Sequence, residues 1–498
     1  MATLAPPEAR RTWQVGSDAA AMFGIAVGAL LLRAIWLGDP AASPDEQLYS
    51  LIGQRMAGGG LPYVDIWDRK PPGLFGIYAL AHLLGGPGPL AYQLLALLFA
   101  VAGGWLTYAL ARPIGGRMAA GAAGLLYQIL MVAYGSHAGQ SETIHVPMML
   151  GALLLLRDWA PAPRGGGIRD CWPALAAMLL CGVALQVKYT VLPQCLFLGL
   201  FALWRLRENG ARWPRLAGLG VLFTTLGLFP TVLAGVIFAA LGHWQEFAFA
   251  QFASFFQRVP AVGGRFALEH LPGVMPLAAL LAAGLWARVR LVPARPLRHY
   301  ALIAGWTLSA LGTVLLPATV YLYYYAALVP GVVLLALPLY DCRRLSGLAM
   351  ALALVVINYA LLDLPARFRQ AQERREAVLA LAQAAAPVVG PAGPCLYVHD
   401  GPTALYRLSG SCLPSRYAYP DHLNNALETP ALGIEQAGEV ARILQARPGA
   451  IVTADHPLTP QAPQVQRLLH RELARHYRAV ARRVIDRRTV TLWHRTGG

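Results

Sequence analysis

Residues 45–73 read DEQLYSLIGQRMAGGGLPYVDIWDRKPPG, and the rest of the chain is best understood from them. The stretch follows the first long apolar run. It carries Asp45-Glu46, Tyr49, Tyr63, Asp65, Asp68, Arg69 and Lys70 before closing on Pro71-Pro72-Gly73. Charge at a bilayer edge costs free energy unless it is paired, solvated or used. A carboxylate pair and a lysine just outside an apolar helix therefore mark a candidate reaction site.

The surrounding composition is that of a polytopic membrane protein. Hydrophobic residues make up 56% of 498, only 13% are charged, and the mean hydropathy is +0.47. The formal charge is +16, from 41 basic and 25 acidic residues. In a soluble chain that excess would suggest nucleic acid. Here most arginines sit in short loops between apolar runs, where they set orientation. With no zinc-finger spacing or aromatic-basic array, no nucleic-acid partner is expected. Only Lys70 and Lys188 are lysines, which makes their positions worth following.

Apolar runs long enough to span, at about 17–25 residues each, occur near 19–38, 89–111, 118–134, 141–157, 172–187, 190–205, 216–241, 271–287, 299–317, 321–340 and 345–362. The run at 71–86 is shorter and opens on two prolines, so it reads as a re-entrant or interfacial helix. Charge tests that choice. With eleven spans and the N-terminus inside, the cytoplasmic segments hold 17 arginines: Arg10, Arg11, Arg112, Arg117, Arg157, Arg164, Arg169, Arg205, Arg207, Arg212, Arg215, Arg288, Arg290, Arg295, Arg298, Arg343 and Arg344. The opposite loops hold six cations: Arg55, Arg69, Lys70, Lys188, Arg258 and Arg265. If 71–86 spanned, the bias would turn against the positive-inside rule. The expected organisation is a cytoplasmic segment 1–18, a transmembrane domain 19–365 and an extracytoplasmic domain 366–498. The first run reads as an uncleaved anchor.

Composition changes after Asp363. The segment 366–386 reads as a charged, alanine-rich helix. Beyond it, 395–399 and 449–453 read as strands, 434–446 and 463–478 as amphipathic helices, and 480–485 with 489–493 as a hairpin. The pattern predicts a small α/β domain. Cys395 and Cys412 are the cysteine pair on this outer side, and they read either as a disulfide or as two buried thiols.

On this topology one side collects Asp45, Glu46, Asp65, Asp68, Arg69 and Lys70, then Glu142, Lys188, Tyr189, His243, Glu246, Arg258, His270 and Tyr321–Tyr325. Both lysines fall among the carboxylates. Cations and tyrosine hydroxyls suit a lipid phosphate. A carboxylate can deprotonate a hydroxyl attacking the carbon attached to that phosphate. Simpler readings stand beside these. Asp65 and Asp68 can solvate the loop or pair with Arg69, and Glu142 can favour a helix N-terminus. Tyr321–Tyr325 can form an interfacial belt, and His243 and His270 can be loop histidines. Arg33, inside the first run, either snorkels or pairs internally.

Asp45-Glu46 after the first span, the Pro-Tyr-x-Asp-x-Trp-Asp-x-Lys-Pro-Pro-Gly run (62–73), Glu142, Lys188 and the tyrosines before Pro330 resemble the GT-C membrane glycosyltransferases. The branch is that of bacterial relatives of protein O-mannosyltransferases and lipid A aminoarabinose transferases, over roughly residues 15–365. The resemblance implies an inverting transfer from a polyprenyl-phosphate sugar. Asp45 would be the catalytic base and Glu142 a second acid near acceptor or metal. Lys70, Lys188, Arg258 and Tyr324 or Tyr325 would contact the donor phosphate, with Glu46, Asp68 and Arg69 supporting. In the aminoarabinose branch a glutamate precedes the loop lysine and helps hold a metal. Here Arg69 stands there, leaving Asp68, Glu142 and His243 as candidate ligands of a divalent ion.

The expectation is thus a multi-pass protein of a bacterial inner membrane, with its C-terminus periplasmic. It would move a sugar to a glycolipid, polysaccharide or protein hydroxyl on the external face, among membrane lipids. Rival readings are a lipid-linked sugar flippase, which would place charge at the midplane and show internal repeats, and a non-catalytic scaffold of the same fold.

Overall fold

The computed structural model describes residues 15–163, 167–260, 270–291, 297–317 and 319–496. Arg10, Arg11, Arg164, Arg265 and Arg295 of the charge count lie outside them. The helices before the first apolar kink are α1 (Val15–Arg33), α2 (Pro44–Ala57), α3 (Pro72–Gly85) and α4 (Pro89–Ala133). The bundle continues with α5 (Ser141–Arg157), α6 (Trp172–Leu185), α7 (Leu192–Glu208) and α8 (Trp213–Ala240). Two short helices, α9 (Trp244–Ala248) and α10 (Ser254–Gln257), flank a π-helical turn over Phe249–Ala253. Then come α11 (Leu271–Arg290), α12 (Leu297–Leu315), α13 (Val329–Leu335), α14 (Leu345–Leu362) and α15 (Leu364–Ala385).

All eleven expected apolar runs contain helix, but their lengths are uneven. Among the described residues, six helices are long and apolar enough to cross a membrane. One of them, α4, is 45 residues long. At 1.5 Å per residue that is about 68 Å, twice a bilayer core, so it must break. It breaks at Gly116, whose φ of 75° suits glycine, so the two expected runs are two helices meeting at a corner. Arg112 and Arg117 sit at this corner and share the Asp18 carboxylate of α1, at 3.2 and 3.3 Å. Helix α3 has 14 residues, about 21 Å and shorter than a bilayer core, and the expected span α6 has the same length. Many large apolar side chains on α7, α8 and α14 stay exposed, among them Leu200, Val221, Phe229, Leu352 and Leu361, as lipid-facing surfaces require. Arg33 pairs internally, donating to Gln128 Oε1 at 2.8 Å.

Asp363 takes a left-handed conformation (φ 46°) and caps α15, its Oδ1 accepting from the Ala366 N–H at 3.2 Å. That turn separates the apolar α14 from the charged α15. The chain then builds β1 (Leu396–Val398), α16 (Ala404–Leu408), α17 (Pro420–Asn424), α18 (Gln436–Gln445) and β2 (Ala450–Ala454). It ends with α19 (Pro463–His476), β3 (Tyr477–Ile485) and β4 (Arg488–Arg495). The sheet order is β1-β2-β4-β3, with β1 and β2 parallel and the other neighbours antiparallel. Each expected strand and helix of the tail is present, within a few residues.

The sheet domain is joined to the first loop through a shared apolar core. Leu48, Tyr49, Ile52, Leu74, Phe75 and Tyr78 from α2 and α3 pack in one cluster with Val378 and Leu381 of α15 and with Leu396, Val452 and Leu492 of the sheet. Trp67 enters the domain's second core beside Tyr417 and Leu423, and its N–H donates to the Arg416 carbonyl at 2.8 Å. Gly53 permits the α2–α3 contact, since a Cβ there would meet Tyr78 Cβ at 2.6 Å.

Cys395 and Cys412 form a disulfide with Cα atoms 5.0 Å apart, while Cys171, Cys181, Cys195 and Cys342 are not in a disulfide. Maleimide labelling of the denatured protein without reductant is expected to modify four of the six cysteines, and all six after reduction. Six labelled without reductant would rule the bond out.

Candidate functional site

The loop after α2 is shaped by Tyr63, fully buried with a φ of 72°. A bulky residue reaches the left-handed region at a cost of about 1–2 kcal/mol, so packing and hydrogen bonds must hold it. Its ring lies 5.4 Å from that of Phe238 and 6.3 Å from that of Phe247. Its hydroxyl donates to the Lys70 carbonyl at 2.8 Å and accepts from Gln251 Nε2 at 3.0 Å. The strained turn thereby fixes the backbone of the loop lysine.

Around that lysine the predicted residues form two groups. In the first, Lys70 Nζ lies 4.8 Å from the Tyr49 ring centre, and the Tyr49 hydroxyl donates to Asp45 Oδ2 at 3.2 Å. Burial alone would lower the Lys70 ammonium, but Asp68 and then Asp45 outweigh it and hold it above its ordinary range. Burial, then Asp45 and Asp68, push the Tyr49 phenol well up, so it remains a donor. Asp68 is buried, with Oδ1 accepting from the Arg69 N–H at 2.6 Å and Oδ2 unpartnered. In the second group, Glu142 opens α5 and forms a buried ion pair with Lys188, and Lys188 Nζ stands 3.9 Å over the Tyr324 ring. Tyr323 packs edge-on against Tyr324, with ring centres 4.8 Å apart.

Glu46 has a different place. It is fully buried and accepts from the Gly139 N–H at 2.7 Å, Gln93 Nε2 at 3.1 Å and the Tyr92 hydroxyl at 3.4 Å. Burial pushes its carboxyl up to about 7, against those hydrogen bonds. It ties α2 to α4 and to the turn that starts α5, which sets where Glu142 stands. Tyr325 packs on the helical core with Tyr324, but it is absent from the ring cluster of Tyr321, Tyr323 and Tyr324.

Arg69 and Arg258 converge on a carboxylate that the sequence reading did not single out. Glu428 of the sheet domain, 3% exposed, takes a two-pronged ion pair from Arg69. It accepts from Arg258 Nε at 2.8 Å, and Arg258 also donates to the Tyr321 hydroxyl at 3.3 Å. Burial opposes the charge on Glu428, yet Arg69 and Arg258 overcome it and hold the carboxyl down at about 2. One signal was available. Between Arg416 and Arg442 the chain carries Asp421, Glu428, Glu435 and Glu439 and no lysine or arginine; Glu439 pairs with Arg442, while Glu428 takes its cations from elsewhere in the fold.

The three candidate metal ligands are not brought together. Glu142 is held by Lys188, Asp68 by a backbone N–H, and His243 lies 3.6 Å from its helix neighbour Glu246 at partial exposure. Among the described residues no three His, Cys, Asp or Glu side chains converge as a metal site. These residues do not fit a divalent ion, and no step below is routed through one.

Removing one partner of a buried ion pair costs about 3–5 kcal/mol, because the other charge stays buried. Glu428→Gln is therefore expected to lower the melting temperature of the purified protein, with Arg69 and Arg258 left uncompensated. The carboxyl's folded value lies below its ordinary 4.5. The stability it contributes is then complete above pH 4.5 and is lost as pH falls towards 2. Wild type and variant should converge in melting temperature across that window. A constant difference down to pH 3 would contradict the assignment.

Residues 69–230 match the family model described as dolichyl-phosphate-mannose-protein mannosyltransferase. Among curated proteins none matches the chain in sequence. The fold resembles ArnT from Cupriavidus metallidurans bound to undecaprenyl phosphate, with TM-score 0.63, 16% identity, and coverage of 96% of this chain and 98% of that one. It also resembles the oligosaccharyltransferase AglB from Archaeoglobus fulgidus, in complex with an inhibitory peptide and a dolichol-phosphate. There the TM-score is 0.52 at 12% identity, over 89% of this chain and 70% of that one. Bundle and sheet domain together, the chain shares the fold of ArnT over 96% of its length.

Proposed function

We propose that this protein is an inverting membrane glycosyltransferase that uses a polyprenyl-phosphate sugar as donor. What supports the reading most is the pair of groups Asp45, Tyr49 and Lys70, and Glu142, Lys188 and Tyr324, in a fold shared with a structure that holds undecaprenyl phosphate. The acceptor hydroxyl attacks the anomeric carbon from the face opposite the phosphate. Its O–H proton passes to the Asp45 carboxylate as the new C–O bond forms. The bond from that carbon to the phosphate oxygen breaks, and the polyprenyl phosphate leaves as an anion stabilised by the Lys70 ammonium. Lys188 is released to the phosphate when Glu142 finds another partner, and Arg258 reaches it while sharing Glu428.

An apolar cleft of about 300 Å³ lies along α8 and α9, lined by Val232, Val236, Trp244, Phe247 and Phe252. Phe247 abuts Tyr63, whose hydroxyl donates to the Lys70 carbonyl. This cleft suits the proximal isoprene units of the donor. The site then stands on the external face of a bacterial inner membrane, with the chain crossing eleven times and residues 366–498 on the periplasmic side.

In membranes given a labelled polyprenyl-phosphate sugar pool, Asp45→Asn is expected to lose transfer by roughly 10²–10⁴-fold and to keep donor binding. Lys70→Ala is expected to weaken donor binding, by roughly 10–100-fold for one charged hydrogen bond. Transfer at wild-type rates in both variants would overturn the reading.

A further inference from the structure

A cavity of about 160 Å³ lies between the start of α2, α15 and the sheet domain, outside the groups described above. One water needs roughly 10–15 Å³ of such space, so a single sugar ring fits. Pro44, in its wall, directly precedes Asp45. Tyr419 is also in the wall. The cavity therefore borders the first turn of α2, which carries the proposed base.

Its polar groups are arranged for a ligand. Asn424 is 3% exposed, and its Nδ2 donates to the His399 carbonyl at 2.8 Å, which fixes the amide. Its Oδ1 has no partner, and a buried carbonyl held in this way calls for a donor. Asp421 accepts one hydrogen bond on each oxygen, from Thr459 and Asn425, both at 3.1 Å, and keeps lone pairs for more. Arg374 is loosely held, 3.4 Å from the Ala42 carbonyl, 3.5 Å from Asp486 and 3.8 Å from Asp39, with Nε unpartnered. Beside these donors and acceptors lie the Tyr419 ring and the side chains of Ile485 and Val490.

We propose that this cavity is the acceptor subsite and that it takes a saccharide headgroup. A pyranose offers hydroxyls that donate to Asn424 and Asp421 and accept from Arg374, together with C–H faces for the tyrosine ring and the aliphatic wall. A protein acceptor would bring one hydroxyl on an extended backbone, and a cavity of this size holds no such strand. The inference rests on the glycosyl-transfer reading and narrows its acceptor.

The test is saturation-transfer NMR on the full chain in nanodiscs with three probes. They are oligosaccharides released from the source organism's envelope glycolipids, its surface polysaccharide, and tryptic peptides of its envelope proteins. Carbohydrate signals are expected with wild type, from whichever saccharide source supplies the acceptor. They should weaken about tenfold in affinity in Asn424→Ala, and also in Asp421→Asn, which is isosteric and guards against misfolding of the first. Undecaprenyl-phosphate binding should not change. Saccharide signals indifferent to both variants, no saccharide signal, or peptide signals that the variants abolish would each overturn the subsite. A transfer assay on the same preparation separates the two claims. Saccharide bound here without any sugar transfer keeps the cavity's ligand and refutes the reaction. Transfer without saccharide binding here does the reverse.

Discussion

The architecture turns on one buried carboxylate. Glu428 comes from the sheet domain, Arg69 from the loop after α2, and Arg258 from the end of the helical segment that follows α8. Two guanidinium groups in a desolvated place repel one another, and neither could stay without a counter-charge. One carboxylate between them turns that repulsion into a clamp holding three distant parts of the chain. Arg69 is next to Lys70, so the clamp also sets where the loop lysine stands. The apolar packing of Trp67 against Tyr417 and Leu423 brings the surfaces together, and the ion pairs fix their register.

The two lysines occupy different electrostatic states for a structural reason. Lys188 is buried and tightly paired with Glu142, while Lys70 is half-buried among Tyr49, Asp45 and Asp68 without a salt bridge of its own among the described residues. A paired ammonium is a poor first contact for an anion, since the phosphate must displace a carboxylate. A partly solvated ammonium above a tyrosine face is a good one, because the ring stabilises the charge and leaves its hydrogen bonds open. Of the two ammonium groups, Lys70 is the more open to an incoming anion.

Much of this was readable beforehand. The apolar runs, the short helix after Pro71-Pro72, the break at Asp363 and the strands of the tail all follow from periodicity and length, because local burial dictates them. The grouping of Asp45, Lys70, Glu142 and Lys188 followed from placing charges on one side. The break between 89–111 and 118–134 was also legible, and Gly116 makes the corner there. Two things were not legible. Glu46 looked like a partner of Asp45, yet adjacent residues on a helix point apart, and it instead faces Gly139 and Gln93. Glu428 lies 359 residues from Arg69, and no local pattern carries a contact of that range.

Arg69 stands next to Lys70, and two adjacent cations in a poorly solvated loop need a counter-charge. The structure supplies the missing negative charge from another domain, through Glu428, and holds it ionised by pairing it twice. The carboxylate that pairs with Arg69 comes from 359 residues along the chain. A carboxylate in the loop would belong to the loop. One delivered by the sheet domain makes the charge balance beside Lys70 depend on that domain being docked, so the docked domain is part of the site's electrostatics as well as its cover.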